Sequence, residues 1–310
     1  APLPRIVLDP VPGAAATAAA AAAASEDDDG PSLLRSLFSA TLARFTLNAE
    51  QAVVLRQVAD WFELRGHPPV GTADDGTDAA AAPPPPVVLV HGVFGSGKSK
   101  LLVAVLWMLQ RLLPATRVDG GAGRPGRTPR VLMAALTNVA VDNVIGALLR
   151  ENDEEEGGGG GGGVAAGSVL RVGSLRRIAP AVLPHSTHGR LSDDDEKSAR
   201  RELSQELQGA SGAERLALRA ALADLDSGRL RARARAVASA SVVGATCAAC
   251  SLPAMADQRF DLLLLDECSQ LTEPAALAPL ARMRCDRLLA VGDPKQLPPT
   301  LLAPPRAAVA

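Results

Sequence analysis

Lysine is scarce in this chain: Lys98, Lys100, Lys197 and Lys295 stand among 28 arginines. Aromatics amount to 2% with no tyrosine, so the 47% apolar content rests largely on alanine. Such composition says little about function, but a lysine kept in an arginine-saturated chain marks a position that needs one. Cysteine is limited to Cys247, Cys250, Cys268 and Cys285. Four are too few for a disulfide framework at this length, and the single CxxC lacks the second close pair of a structural zinc site. Reduced, buried thiols are the expectation. No stretch of about 18 apolar residues is free of charge, which excludes a membrane-spanning helix. The alanine run 14–24 lacks the basic start of a signal peptide and reads as low complexity. No unit recurs at a fixed period, and no methionine opens the chain, which suggests a piece of something longer.

The formal net charge of −2 is unevenly spread. Three runs, Glu26–Asp29, Glu151–Glu156 and Asp193–Glu196, hold 13 of the 34 acids and no base. Read as solvated linkers, they leave 21 acids against 32 bases elsewhere. A basic folded part permits a polyanionic partner.

Residues 1–31 combine proline, alanine and acid with nothing to bury, and are expected to be disordered. Helical periodicity runs from Leu33 to Phe62 with a break at residues 46–48, Asn48 serving as N-cap of the second helix. Val53, Val54, Leu55, Val58, Trp61 and Phe62 are placed along its broad apolar face. A proline–alanine linker over 66–86 follows. The pattern then becomes strand, turn, helix, repeated: strands at 87–91, 131–136, 168–172, 240–245, 260–265 and 287–291, with helices at 98–113 and 139–150. Apolar runs without alternation suit strands covered on both faces, as in a parallel sheet with crossover helices. The glycines 157–163 read as a surface insertion, and 195–238 as a helical one with Leu218, Leu222 and Leu225 on one face. One α/β domain over 32–310, with an insertion at 151–238, is the economical description.

Three motifs carry chemistry. Gly92-Val93-Phe94-Gly95-Ser96-Gly97-Lys98-Ser99 fits the phosphate loop G-x-x-x-x-G-K-[ST] in its required place between strand and helix. Gly92, Gly95, Ser96 and Gly97 would turn backbone N–H groups towards phosphate oxygens, Lys98 would reach the β- and γ-phosphates, and Ser99 would ligate Mg²⁺. The strand of "FDLLLLDECSQ" ends in Asp266, placed to hold Mg²⁺ through water, and Glu267, placed to deprotonate an attacking water. That division of labour implies ATP hydrolysis rather than transfer to a small acceptor. "LLAVGDPKQLPPT" would bring Gln296 towards the γ-phosphate. An ordinary Gly-Asp-Pro loop is the alternative for this last motif.

"LNAEQ", "GVFGSGKS", "TNVAVDNV", "VVGATCAAC", "DECSQLTEP" and "GDPKQLPPT" stand in the order found in superfamily 1 helicases of the Upf-like branch, which the chain resembles over residues 47–300. Within that branch "HGVFGSGKS", "RVGSLRRIA", "TCAACSLP" and "DECSQLTEPAALAPLAR" look most like the GRF-zinc-finger-containing DNA helicase. The resemblance implies a RecA-like P-loop NTPase domain, with Gln51 recognising adenine. It further implies that Thr137, Asn138 and Thr246 touch the backbone of a single strand, and that Gln296 couples the γ-phosphate to that grip. It implies 5′→3′ movement on single-stranded nucleic acid, DNA before RNA, in repair or replication, and a nuclear location or otherwise a cytoplasmic one. No GRF-type zinc finger lies in these residues, and the family's second RecA-like domain lies outside them. Hydrolysis in such motors occurs between two domains, so these 310 residues are expected to bind ATP·Mg²⁺, hydrolyse it poorly and not unwind.

Two other readings stay open. One is a nucleotide-gated nucleic-acid-binding module without turnover; intact Lys98, Asp266 and Glu267 favour descent from a working enzyme. The other is an unrelated P-loop ATPase of the chaperone-like kind, into which "GDPKQLPP" fits poorly. Among weaker signals, Arg229–Ala236 is either a phosphate-binding strip or a solvated helix end. Trp107 reads as core, Trp61 and Phe94 carry no firm base contact, and His185 and His188 have no assigned role.

Overall fold

The computed structural model describes residues 33–62, 86–93, 95–113, 127–157, 168–191 and 194–300. Residues 1–31, the 66–85 part of the linker, Phe94 and the glycines 158–163 lie outside them. The first helices, α1 (Leu33–Phe45) and α2 (Ala49–Asp60), are separated at Thr46, whose φ is +40°. Asn48 caps α2 through a reciprocal pair: its Oδ1 accepts from Gln51 N at 2.8 Å, and Gln51 Oε1 accepts from Asn48 N at 3.1 Å. Val54, Leu55 and Val58 are buried, but Val53 is 46% exposed, against expectation. At about 100° per residue, three consecutive helical positions cannot all face one core.

Six strands follow the expected pattern: β1 (Val87–His91), β2 (Val131–Ala135), β3 (Val169–Val172), β4 (Val242–Thr246), β5 (Leu262–Leu265) and β6 (Arg287–Gly292). They form one sheet in the order β1-β6-β5-β2-β4-β3, every neighbouring pair parallel. Side chains alternate between two cores, as the pleat requires. Val131, Met133, Leu262 and Leu264 face one, built with α1, α2, α3 (Lys98–Leu112) and α4 (Asn138–Gly157). Leu132, Ala134, Leu263 and Leu265 face the other, with Val237, Met255, Phe260 and Met283. Helix α3 lies between the sheet and α1–α2, which explains its nearly continuous burial from Leu101 to Leu112.

The second acidic run is not a linker. Helix α4 continues through it to Gly157, and Glu151 Oε2 accepts from Arg44 Nε of α1 at 2.7 Å. Acids are compatible with the solvent side of a helix, so the run hides a continuation that the charge pattern alone does not show. The segment 151–238 is also only partly outside the core fold, since β3 is a strand of the main sheet. What stands apart is a pair of packed helices, α5 (Asp194–Gly209) and α6 (Gly212–Ser239), with Leu218, Leu222 and Leu225 half-buried. The Arg229–Ala236 strip lies within α6. Among the described residues, no helix is long and apolar enough to cross a membrane.

Arg130 fastens the end of α6 to the sheet. It donates to the carbonyls of Val237 and Ala240 and lies 4.5 Å over the Phe260 ring. Burial, and then the neighbouring charge of Arg127, push its guanidinium down to about 10, with Asp261 opposing. Asp261 accepts both Arg127 nitrogens at 2.7 Å and Arg130 N at 2.8 Å. Replacing Asp261 with Ala removes the acceptor of the half-exposed Arg127 and of Arg130 N, and is expected to cost about 2 kcal/mol. Denaturant unfolding followed by fluorescence of the buried Trp61 and Trp107 measures it; an unchanged midpoint would contradict the role given to this pair.

Candidate nucleotide and nucleic-acid site

Because β6 lies between β1 and β5, the chain segments leaving three neighbouring strands emerge side by side. In register, His91 pairs with Gly292 and Leu265 with Ala290. The phosphate loop leaves β1, Asp266-Glu267 leaves β5 and Asp293–Gln296 leaves β6. In parallel sheets, the carboxyl ends of the strands are where ligands bind.

The loop turns through Gly95 and Gly97, at φ +78° and +81°, before α3 starts with Leu101 N bonding to Gly97 O at 2.9 Å. A Cβ on Gly97 would stand 2.8 Å from Gln51 Nε2, which donates to Ser96 O at 3.0 Å. Gln51 therefore ties the cap of α2 to the loop. Lys98 Nζ donates to Gly92 O at 2.9 Å, and Ser99 is exposed at the start of α3.

Asp266 is 4% exposed. Burial pushes its carboxyl up to about 6; the Glu267 N–H at 2.9 Å pulls it back, the Glu267 charge adds to the rise, and Lys98 opposes it. Glu267 holds a left-handed backbone, φ +50°, uncommon for a residue with a side chain and a conformation that clusters at functional turns. Its Oε2 accepts from Gln270 Nε2 at 3.3 Å.

Asp293, at 3% exposed, belongs to the cluster although the motif reading passed over it. Its Oδ2 accepts from Gln296 Nε2 at 3.0 Å and its Oδ1 from Lys295 N at 3.0 Å, with His91 Nε2 3.4 Å from Oδ1. The Gln296 amide first, then the Lys295 N–H, His91 and the Lys98 charge hold its carboxyl below the usual range. Ser269 Oγ accepts from Asp293 N at 3.1 Å, and a Cβ on Gly292 would meet Cys268 Sγ at 2.8 Å. The turns after β5 and β6 are thus in direct contact. The signal for Asp293 was its place in the turn, one residue after the strand.

The three nucleic-acid candidates lie at the carboxyl ends of β2 and β4. Thr137 is exposed, and its hydroxyl accepts from Ala140 N at 3.1 Å, capping α4. Asn138 is half-buried, with Oδ1 accepting from Arg171. Thr246 is buried at 7%, its hydroxyl accepting from Ala249 N at 3.1 Å, so it has the least free surface of the three. Trp61 and Trp107 are core, and Arg111 lies 3.8 Å over the Trp107 ring. His188 Nε2 donates to Gly173 O at 2.9 Å. Burial pushes the thiols of Cys247 and Cys250 up, to about 11 and about 12.

A parallel sheet with this loop at a strand–helix junction defines a RecA-like P-loop NTPase domain. A family described as an AAA domain matches residues 74–226 and 213–304. The chain is 39% identical over 256 residues to mouse 5'-3' DNA helicase ZGRF1, covering 82% of this chain and 12% of that protein. It is 25% identical over 225 residues to DNA polymerase alpha-associated DNA helicase A of Schizosaccharomyces pombe, covering 69% and 29%. Rat DNA-binding protein SMUBP-2 is 24% identical over 233 residues, covering 70% and 20%. The chain thus spans less than a third of each of these relatives. It belongs to the AAA domain family, in the Upf-like branch of the superfamily 1 helicases that its motifs resemble.

An acid with its folded value near 6, against 3.8 in the open chain, is unfavourably ionised in the fold above that range. Its destabilisation is absent below about 3.8 and grows to at most about 3 kcal/mol above about 6. Asp266→Asn is therefore expected to raise the thermal midpoint at pH 7.5, with the gain shrinking towards pH 4. A midpoint lowered at pH 7.5 would contradict this reading of the carboxyl.

Proposed function

We propose that the chain is the ATP-binding motor domain of an ATP-dependent 5′→3′ helicase or translocase acting on single-stranded nucleic acid, DNA in preference to RNA. The observation that carries this reading is the meeting of three strand ends, which brings the phosphate loop with Lys98 beside Asp266-Glu267 and the Asp293–Gln296 turn. The site fits a magnesium-bound triphosphate: Gly95 leaves open space beside the loop, Lys98 supplies positive charge, and a closed carboxylate with a raised pKa gains from a nearby cation.

In this reading the amides around Gly95, Ser96 and Gly97 and the start of α3 bind phosphate oxygens, joined by Lys98. Ser99 and Asp266 would hold Mg²⁺, which neutralises charge on the phosphates. Glu267, steadied by Gln270, accepts the proton of the attacking water. Gln296 reports on the γ-phosphate from the turn that Asp293 holds, and Gln51 reads the base from beside the loop. Thr137 and Asn138, with Thr246 below them, offer the grip on a single strand. The relatives' names support DNA; repair or replication in the nucleus belongs to the same reading. Turnover needs a second RecA-like domain across the cleft, so the 310 residues on their own are expected to bind ATP·Mg²⁺ and hydrolyse it slowly. Robust DNA-stimulated turnover by them alone would refute that.

Lys98→Ala is expected to weaken ATP binding about a hundredfold, the worth of two charge-assisted hydrogen bonds, measured by titration calorimetry. In a protein that includes the second domain, Glu267→Gln is expected to spare binding and lower turnover about a thousandfold. Unchanged turnover would remove Glu267 as the base. Competition between matched DNA and RNA oligonucleotides at stated salt tests the preference for DNA; tighter RNA binding would reverse it.

A further inference from the structure

Arg171 has no part in the nucleotide site, yet it is fully buried in β3 between Leu170 and Val172. A guanidinium in such a place must be paired on every side. Its Nε donates to Asp142 Oδ1 of α4 at 2.6 Å, its Nη1 to the carbonyl of Val172, and its Nη2 to Asn138 Oδ1 at 2.9 Å. The second oxygen of Asp142 accepts from Ala179 N at 2.8 Å. A Cβ on Gly173 would lie 2.8 Å from Nη1, so the backbone closes directly over the guanidinium. The group is therefore held rigidly from three elements: β3, α4 and the 173–190 segment.

This arrangement has a consequence for Asn138. A side-chain amide has one accepting end and one donating end, and either can in principle face a neighbour. A guanidinium only donates, so Arg171 admits only the oxygen end of Asn138. The Nδ2 end is turned away from it. Among the described residues Nδ2 has no hydrogen-bond partner, and it is not one of the enclosed, unpaired polar atoms. Its neighbours Thr137 and Val139 are exposed, Val139 at 69%. Phosphate oxygens only accept, so an amide presenting N–H binds them and one presenting its oxygen repels them.

We propose that the Arg171–Asp142 pair is a positioning device for the nucleic-acid grip, fixing Asn138 with its amide N–H₂ outward towards strand phosphates. Arg171 touches no ligand itself; it acts through Asn138. The inference rests on the reading of Asn138 as a backbone contact, and the test separates the two.

The test is fluorescence anisotropy of a labelled oligo(dT) with the 310-residue chain at fixed salt, beside thermal midpoints and affinity for a fluorescent ATP analogue. Asn138→Asp keeps an oxygen facing Arg171 but turns the outward donor into an acceptor. It is expected to weaken oligonucleotide binding about tenfold, the worth of one charge-assisted hydrogen bond, while the midpoint holds or rises. The paired variant Arg171→Gln with Asp142→Asn removes both buried charges and strands neither. It is expected to weaken binding about tenfold in the wild-type background and to have little further effect when Asn138 is already Ala. Equal weakening in both backgrounds, or weakening matched by loss of nucleotide affinity, would mark the pair as purely structural and overturn the proposal. Should the paired variant fail to fold, Asn138→Asp decides alone, and unchanged affinity overturns it. Unchanged affinity in Asn138→Ala would remove Asn138 as a contact, and a wild-type chain that binds no oligonucleotide would remove the grip altogether; the proposal falls with either.

Discussion

Three neighbouring strand ends bring the Lys98 loop and two buried carboxylates, Asp266 and Asp293, together, and the proposed nucleotide site depends on that meeting. Burial drives Asp266 up and Lys98 draws it back; at Asp293 the Gln296 amide leads and Lys98 adds to it. The meeting follows from strand order. With β6 between β1 and β5, loops more than a hundred residues apart in sequence leave the sheet as neighbours. Gly292, too close to Cys268 for any side chain, lets the last two turns touch. A sheet with β5 beside β1 would have put Gln296 elsewhere, away from the phosphate loop.

The same sheet does similar work at β2, β4 and β3. There a buried ion pair, Arg171 with Asp142, performs what Asp293 performs at the nucleotide end: a charged group beneath the surface sets the orientation of an amide at the surface. In both places the amide belongs to a residue given a contact role, Asn138 or Gln296. Fixing an amide in advance lowers the ordering cost of binding, and at Asn138 it also turns the donor end outward; at Gln296 the carboxylate holds the Nε2 end itself. The α5–α6 pair is fastened through Arg130 and Asp261 at the opposite end of the strands.

Much of this was legible from local pattern. Six apolar runs gave six strands, because strands covered on both faces need no alternation. Asn48 announced its cap, though not the reciprocal bond from Gln51. The phosphate loop was readable because its glycines and lysine lie within eight residues, and Asp266-Glu267 because it closes an apolar strand. What escaped needed three dimensions. Glu151–Glu156 read as a linker, since charge pattern cannot show that Arg44 waits on another helix. Val53 fell on the wrong face of a helix whose apolar stretch was too short to fix its phase. Asp293 was hidden in a turn credited to Gln296. Arg171 left one trace, a lone charge in an apolar strand, and its meaning depended on Asp142 and Asn138 lying across from it.

One measurement reaches the central claim directly: crystals of the chain grown with a non-hydrolysable ATP analogue and Mn²⁺, with the metal located by its anomalous scattering. The expected result is a single metal peak beside Ser99 Oγ, bridged to Asp266 through water, with the terminal phosphate between Lys98 and Gln296. A metal peak away from Ser99, or a triphosphate bound without approaching the Asp266 and Asp293 turns, would contradict the claim that these strand ends form one site.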